Sequence, residues 1–187
     1  MNLVGRQLIH FALIVSLSPV CLALPADLVG TWAMNCDRGL RKEQVIQGQA
    51  VTTTEFFHQD KECTQESFRF KTVGTLVFDN NEPSWIDFYY TAIDLTVFVP
   101  QVVADFNTRA VCGFQDWQVG TSKQITGLKC ALFNVNKPTQ IPTVGDLKFG
   151  IYKIEDGRLY YGQLTQEKNG SSAKKRPDMF APEFFVK

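Results

Sequence analysis

The sequence predicts an all-β fold: an antiparallel β-barrel with at most one short helix and two disulfides. Short runs of β-branched and aromatic residues recur between turn signals along the 187-residue chain. Ser67 to Asp79 alternates strictly, and Asp156-Gly157 joins two alternating aromatic runs. About seven to nine strands with turns between them mean a barrel or a sandwich. A sandwich of the immunoglobulin type is the alternative; its Cys, Trp, Cys spacing is not matched, and the Gly30-Thr31-Trp32 start favours the barrel.

Residues 1–23 read as a signal peptide. Arg6 is the only charge, Phe11 to Leu17 is a short apolar run, and Pro19 leads to the small Ala23 before a cleavage point at Ala23-Leu24. The alternative, a membrane anchor, needs ~20 apolar residues; this run is shorter and carries Pro19. Ser18-Pro19-Val20 is a poor match to the residues that precede a lipoprotein cysteine, which sets Cys21 aside. The mature chain is therefore expected to be soluble, secreted or periplasmic, and not membrane-spanning. Residues 24–187 are one domain's worth of chain. Lys plus Arg number 19 and Asp plus Glu 19, with no basic stripe, so nucleic acid is not an expected partner. Lys174-Lys175-Arg176, beside Asn169-Gly170-Ser171-Ser172, reads as a solvated loop, and Asn169-Gly170-Ser171 is a glycosylation acceptor in a pathway that glycosylates.

With Cys21 removed, Cys36, Cys63, Cys112 and Cys130 remain. An even number in an exported chain implies two disulfides and leaves their pairing open. Each is typically worth ~2–4 kcal/mol. The four are far apart and include no Cys-x-x-Cys pair, which argues against zinc.

Leu28 to Cys36 reads as the first strand, with Gly30 allowing close backbone approach beside the large Trp32. Asp37 to Gln49 is polar enough for a loop or a weak edge strand. Val51 to His58 is a strand, ended by Lys61-Glu62-Cys63-Thr64. Over Ser67 to Asp79, Phe68, Phe70, Leu76 and Phe78 share the inward face. Asp79-Asn80-Asn81-Glu82-Pro83 turns the chain into Ser84 to Val99, apolar on both faces and so either covered on both sides or bent midway. Gln101 to Thr108 is the one candidate helix. Ile125 to Leu132 reads as a strand through Cys130, and Asn134 to Thr143 as a loop. Leu147 to Ile154 and Arg158 to Leu164 form a hairpin about Glu155-Asp156-Gly157, and Met179 to Val186 adds a last strand.

Gly30-Thr31-Trp32 resembles the Gly-x-Trp with which lipocalin-like barrels close one end, a role that falls here to Gly30 and Trp32. The wider pattern is more specific. Gly30-Thr31-Trp32, Cys36, Phe56-Phe57, Cys63-Thr64, Trp85, Cys112-Gly113, Trp117-Gln118-Val119-Gly120, Cys130, Ile151-Tyr152-Lys153-Ile154 and Tyr160-Tyr161-Gly162-Gln163 stand in order across nearly the whole mature chain. Together they resemble the repeated extracellular domain of the adenomatosis polyposis coli down-regulated 1 family. The resemblance implies a disulfide-held, lipocalin-like barrel with an apolar-ligand site. The animal protein carries two such domains and a membrane anchor, and inhibits Wnt signalling through the Wnt lipid. This chain shows one domain and no C-terminal apolar tail, so the fold and the ligand site carry over and the Wnt partner does not.

Catalysis has little to work with. His10 lies in the signal segment, leaving His58, which reads as a surface or satisfied polar residue. No Gly-x-Ser-x-Gly, phosphate loop or His-Glu-x-x-His occurs, and Asp87 with Asp94 fits solvent-facing strand positions. The chain is expected not to be an enzyme and to need no cofactor or metal. Its positive signal is 15 Phe, 3 Trp and 5 Tyr, in a fold whose interior can hold one ligand or fill itself. The expected cavity walls are Phe56, Phe68, Phe70, Leu76, Phe78, Trp85, Tyr89, Phe149, Ile151 and Tyr161, with Tyr89 or Arg69 as a polar group near the mouth. The expected ligand is an apolar small molecule or an acyl chain, free or carried by a lipidated protein. The alternative is an extracellular interaction module with a filled core, binding a protein through its outer strands or through the Cys112 to Cys130 loop and Trp117.

Overall fold

The computed structural model describes residues 24–79, 82, 84–132 and 136–187. The expected signal peptide, with His10 and Cys21, lies outside the described residues, as do Asn80, Asn81 and Pro83 of one expected turn and Asn134 of one expected loop. Among the described residues the strands are β1 (Gly30–Asp37), β2 (Leu40–Gln47), β3 (Ala50–His58), β4 (Glu66–Phe78), β5 (Trp85–Val97), β6 (Ser122–Gln124), β7 (Lys129–Cys130), β8 (Thr139–Gln140), β9 (Leu147–Glu155), β10 (Arg158–Gly162) and β11 (Phe180–Val186). One helix, α1 (Pro100–Thr108), follows β5. Strands run in the order β4-β3-β2-β1-β11-β10-β9-β5, and β5 pairs back onto β4. The result is a closed, eight-stranded antiparallel barrel.

The interior is fixed by register. Gly30↔Ile46 and Trp32↔Gln44 pair across β1 and β2, Ile46↔Val51 and Lys42↔Glu55 across β2 and β3, and Val51↔Gly74 across β3 and β4. Directly paired residues share a face, so these line the inside. The barrel end near the β2–β3, β4–β5 and β9–β10 turns is packed shut by Leu28, Trp32, Ile46, Val51, Leu76, Phe78, Ile86, Leu159 and Phe185. Trp32 is 1% exposed, and its indole N–H donates to the Leu28 carbonyl at 2.8 Å. Lys187 stacks its ammonium 4.8 Å from the Trp32 ring and donates to the Asp27 carbonyl, tying the chain's last residue across this end.

β5 satisfies both expectations for a strand with apolar residues on both faces: it bends and it is covered. Val73 pairs with Ala92 but Gly74 with Tyr90, so Thr91 is an extra residue in β5. A side chain at Gly74 would strike the Tyr89 carbonyl and the Phe88 ring, so glycine is required where the bulge presses on β4. Beyond the bulge Ile93, Leu95 and Val97 pack under α1 and the segment after it, in a second core with Val103, Phe106, Val111, Trp117, Ile125 and Cys130. Asn107 clamps Trp117 from both sides, accepting from its backbone N–H at 2.6 Å and donating to its carbonyl at 3.0 Å. This second core roofs part of the other barrel end.

The β9–β10 hairpin forms as expected, with Asp156 and Gly157 at φ 52° and 72°, the positive values a two-residue turn of this kind needs. The disulfides pair Cys36 with Cys63 and Cys112 with Cys130. Three expectations are corrected. Asp37 to Gln49 holds a full strand, β2, paired on both sides; its inward Lys42 and Gln44 hid the alternation. Ile125 to Leu132 contributes only the two-residue β7, because Cys130 is drawn into the second core by its disulfide. Arg176 is 7% exposed rather than solvated: its guanidinium pairs with Asp87 at 3.1 Å and stacks 4.1 Å from the Trp85 ring.

Candidate ligand-binding site

Two adjoining chambers occupy the barrel. The larger, about 690 Å³, opens beside the β1–β2 turn and is lined by Met34, Asp37, Arg38, Leu40, Lys42, Gln44, Thr53, Tyr161, Leu164, Glu183 and Phe185 among others. The smaller, about 210 Å³, reaches the closed-end core through Leu76, Ile86 and Phe88 and is completed by Lys148, Gly150, Ile151 and Pro177. Gln44, Tyr161, Gly162 and Leu164 border both. Volumes of ~300–1,000 Å³ are usual for small-molecule sites.

Polar groups divide the interior. The Tyr161 hydroxyl donates to the Gln44 side-chain oxygen, and the Gln44 amide donates to Thr53 Oγ1 at 3.0 Å, a three-residue bridge on the boundary between the chambers. Burial pushes the Tyr161 phenol far above its ordinary value, outweighing the opposing hydrogen bond from Gln44. Lys42 pairs with Glu55 at 2.5 Å. Tyr90, also inward, is raised by burial first and by Glu55 and Asp146 after it.

The smaller chamber has a wall of irregular chain. β10 ends at Gly162 and pairs only with the second half of β9, so the start of β9 has no strand on that side. The segment from Gln163 to Met179 fills the gap: the Phe149 N–H donates to the Gly170 carbonyl at 2.9 Å, and Gly170 donates to Lys175 at 2.8 Å. Gly170 sits at φ +70° with the Phe149 carbonyl against it, where no side chain fits. Asp87 and Arg176 fasten this strap to the outside of β5 and β9.

The ten residues expected to wall the cavity are split by register. Phe68, Phe70, Leu76, Phe78 and Tyr161 face inward. Of these, Leu76 and Tyr161 touch the chambers, Phe78 packs edge-on to Tyr152 in the closed end, and Phe68 stacks on Phe106 beneath α1. Phe56, Trp85, Tyr89, Phe149 and Ile151 fall on the outward side. Phe56 lies between Arg41 and Arg69, and Tyr89 is 40% exposed. Trp85 and Phe149 both lie against Arg176, at 4.1 and 5.3 Å from its guanidinium, although Phe149 and Ile151 still edge the smaller chamber where the strap folds over them. Arg69, expected near the mouth, is bonded to Glu66 on the outer surface. The interior polar groups that sequence reasoning passed over are Lys42, Gln44, Thr53 and Lys148. For Lys42 and Gln44 the one signal was their even spacing with Leu40 and Ile46.

Trp117, expected on an interaction surface, is 2% exposed in the second core. His58 bonds through Nδ1 to the Gly39 carbonyl at 3.0 Å. Among the described residues no cluster of His, Cys, Asp or Glu is placed to hold a metal ion, and no helix is long and apolar enough to cross a membrane. The fold and the site thus define a disulfide-bonded, eight-stranded barrel with a two-part cavity that opens beside the β1–β2 turn. Comparison with protein-family models gives no match, and neither does comparison with curated proteins.

Proposed function

We propose that this chain is a lipocalin-like carrier or sequestering protein that holds a lipid or fatty acyl chain inside the barrel, and that it is exported. The observation that carries the reading is the pair of adjoining chambers, which share Gln44, Tyr161, Gly162 and Leu164 as a common border. A filled core would leave no such space, and a purely polar cleft would not end on Leu76, Ile86 and Phe88. Each methylene moved from water into such walls gains about 0.8 kcal/mol, so ten give about 8 kcal/mol before the cost of immobilising the ligand. That gross gain is the free energy of roughly micromolar binding. Two disulfides fit an oxidising compartment, extracellular or periplasmic. The motif order that resembles the adenomatosis polyposis coli down-regulated 1 domain supports the same assignment, without its Wnt partner.

Native mass spectrometry of the oxidised protein, before and after incubation with an 18-carbon acyl ligand, tests the reading. The expected result is a bound acyl species at one per chain that exchanges with added ligand. A protein that stays empty under these conditions overturns it.

A further inference from the structure

The cations bordering the two chambers are not equivalent. Arg38 pairs with Asp37 at 3.2 Å, and Lys42 pairs with Glu55 at 2.5 Å. Lys148 also lines the smaller chamber, on the inward face of β9 opposite Phe88. It is half-buried, and no acidic side chain among the described residues pairs with it. Its ammonium donates to one backbone carbonyl, that of Asn169 in the strap. An ammonium has three donors, so this contact leaves two to be met from elsewhere. Taking a charge out of water without a counter-charge is costly, and burial alone pulls the Lys148 ammonium below the usual lysine value. Its surroundings make the cost plain: Leu76, Ile86, Phe88, Ile151 and Pro177 share the chamber with it.

Resting on the carrier reading above, we propose that Lys148 is the anchor for the anionic head of the bound amphiphile. The ligand is a single acyl chain ending in one anionic group, which pairs with Lys148 at the rim of the smaller chamber. The chain lies along the apolar walls and past Tyr161 into the larger chamber. The Lys42–Glu55 and Arg38–Asp37 pairs are already neutral and offer an anion no comparable gain. An uncharged acyl group, such as an ester on a protein, fills the same space but leaves Lys148 without a counter-ion, and so binds less tightly.

The experiment compares ligands that share one chain. Oleate, methyl oleate and oleoyl-lysophosphatidate are titrated against the oxidised protein and against Lys148→Met and Lys148→Arg variants by calorimetry, with native mass spectrometry for stoichiometry. The expected result is that the native protein binds the anionic ligands at least tenfold tighter than methyl oleate. Whichever anion is tighter identifies the head as carboxylate or phosphate. Lys148→Met is expected to lose that preference, and Lys148→Arg to keep it. Equal binding of oleate, lysophosphatidate and methyl oleate by the native protein overturns the anchor, as does unchanged anion binding by Lys148→Met. Loss of all three ligands by Lys148→Met also overturns it, because Lys148 then serves to hold the strap. If the native protein binds methyl oleate but neither anion, the carrier reading stands and the anchor fails. If it binds none of the three, the carrier reading falls and takes the anchor with it.

Discussion

The Tyr161 hydroxyl reaches across the barrel to the Gln44 side-chain oxygen, and this contact stands where the two chambers meet. Tyr161 belongs to β10 and Gln44 to β2, so the bond joins walls that no backbone ladder connects. Gln44 keeps its own tie to Thr53 on the neighbouring strand. Replacing Tyr161 with Phe removes the donor and strands a buried acceptor, which typically costs ~1–3 kcal/mol. Urea unfolding should show that loss as a lower midpoint with an unchanged slope. Gln44→Leu with Tyr161→Phe should cost less than the sum of the two, since the double variant leaves neither member of this pair facing a missing partner and only Thr53 Oγ1 loses its donor; strict additivity would show that the two side chains are not coupled.

Three tyrosines, one buried and two half-buried, make stability depend on alkali. Tyr90, Tyr152 and Tyr161 are each held above the ordinary 10.0 of a phenol, in every case by burial first. In the unfolded chain they ionise near pH 10, while in the folded barrel they keep their protons. The unfolded state therefore binds fewer protons above that pH, and stability must fall as pH rises. Below about pH 10 the contribution is complete; above it the loss is progressive. The denaturation midpoint should be flat from about pH 7 to 9 and drop between about pH 10 and 11. Absorbance titration should show Tyr161 ionising last, with that late phase missing from Tyr161→Phe. A midpoint that stays level to about pH 11 would contradict the burial of these phenols.

The barrel was legible where one face meets core and the other meets water. Ser67 to Asp79 is such a strand, and its inward residues follow from alternation alone. The site was harder, for two physical reasons. On β5 and β9 both faces are covered, the inner by the cavity and the outer by the strap from Gln163 to Met179. Apolar Trp85, Phe149 and Ile151 therefore look inward by composition while register turns them out. On β2 the reverse holds: Lys42 and Gln44 point in because a cavity tolerates polar walls that a packed core would not. The basic run Lys174-Lys175-Arg176 misled in the same way. Nothing local distinguishes Arg176 from its neighbours, and its burial depends on Asp87, which is far off in sequence.

That distant pairing carries the next prediction. The Arg176 and Asp87 side chains are 8% and 19% exposed, and the guanidinium also donates to the Gly150 carbonyl at 2.5 Å. Breaking a buried pair by removing one member typically costs ~3–5 kcal/mol, because the other charge is left alone. Arg176→Met should approach that figure in urea unfolding. It should also alter Trp85 fluorescence, since the cation leaves the ring face. Arg176→Lys should recover little, because a lysine lacks the planar fork that holds both Asp87 and Gly150 while lying against the Trp85 ring. Asp87→Leu combined with Arg176→Met should be milder than either alone. Full stability in Arg176→Met would mean that the strap is not fastened through this pair.

The two disulfides should fail differently. Their sequence separations are 27 and 18 residues, for which chain-entropy reasoning gives about 3 kcal/mol each. Their positions are unlike. Cys112–Cys130 lies wholly inside the second core, with Phe106, Trp117 and Ile125. Cys36–Cys63 ties the end of β1 to the loop after β3, next to the Asp37 and Arg38 that rim the larger chamber. Paired Cys→Ser changes at 112 and 130 should therefore strip hydrogen-exchange protection from α1 and its surroundings while the amides of β1 to β3 keep theirs. The same change at 36 and 63 should leave α1 protected and open the β1–β2 turn, weakening acyl-ligand binding at the mouth. Equal loss of protection everywhere in both variants would mean that barrel and second core unfold as one unit, and the cavity could not then be loosened on its own.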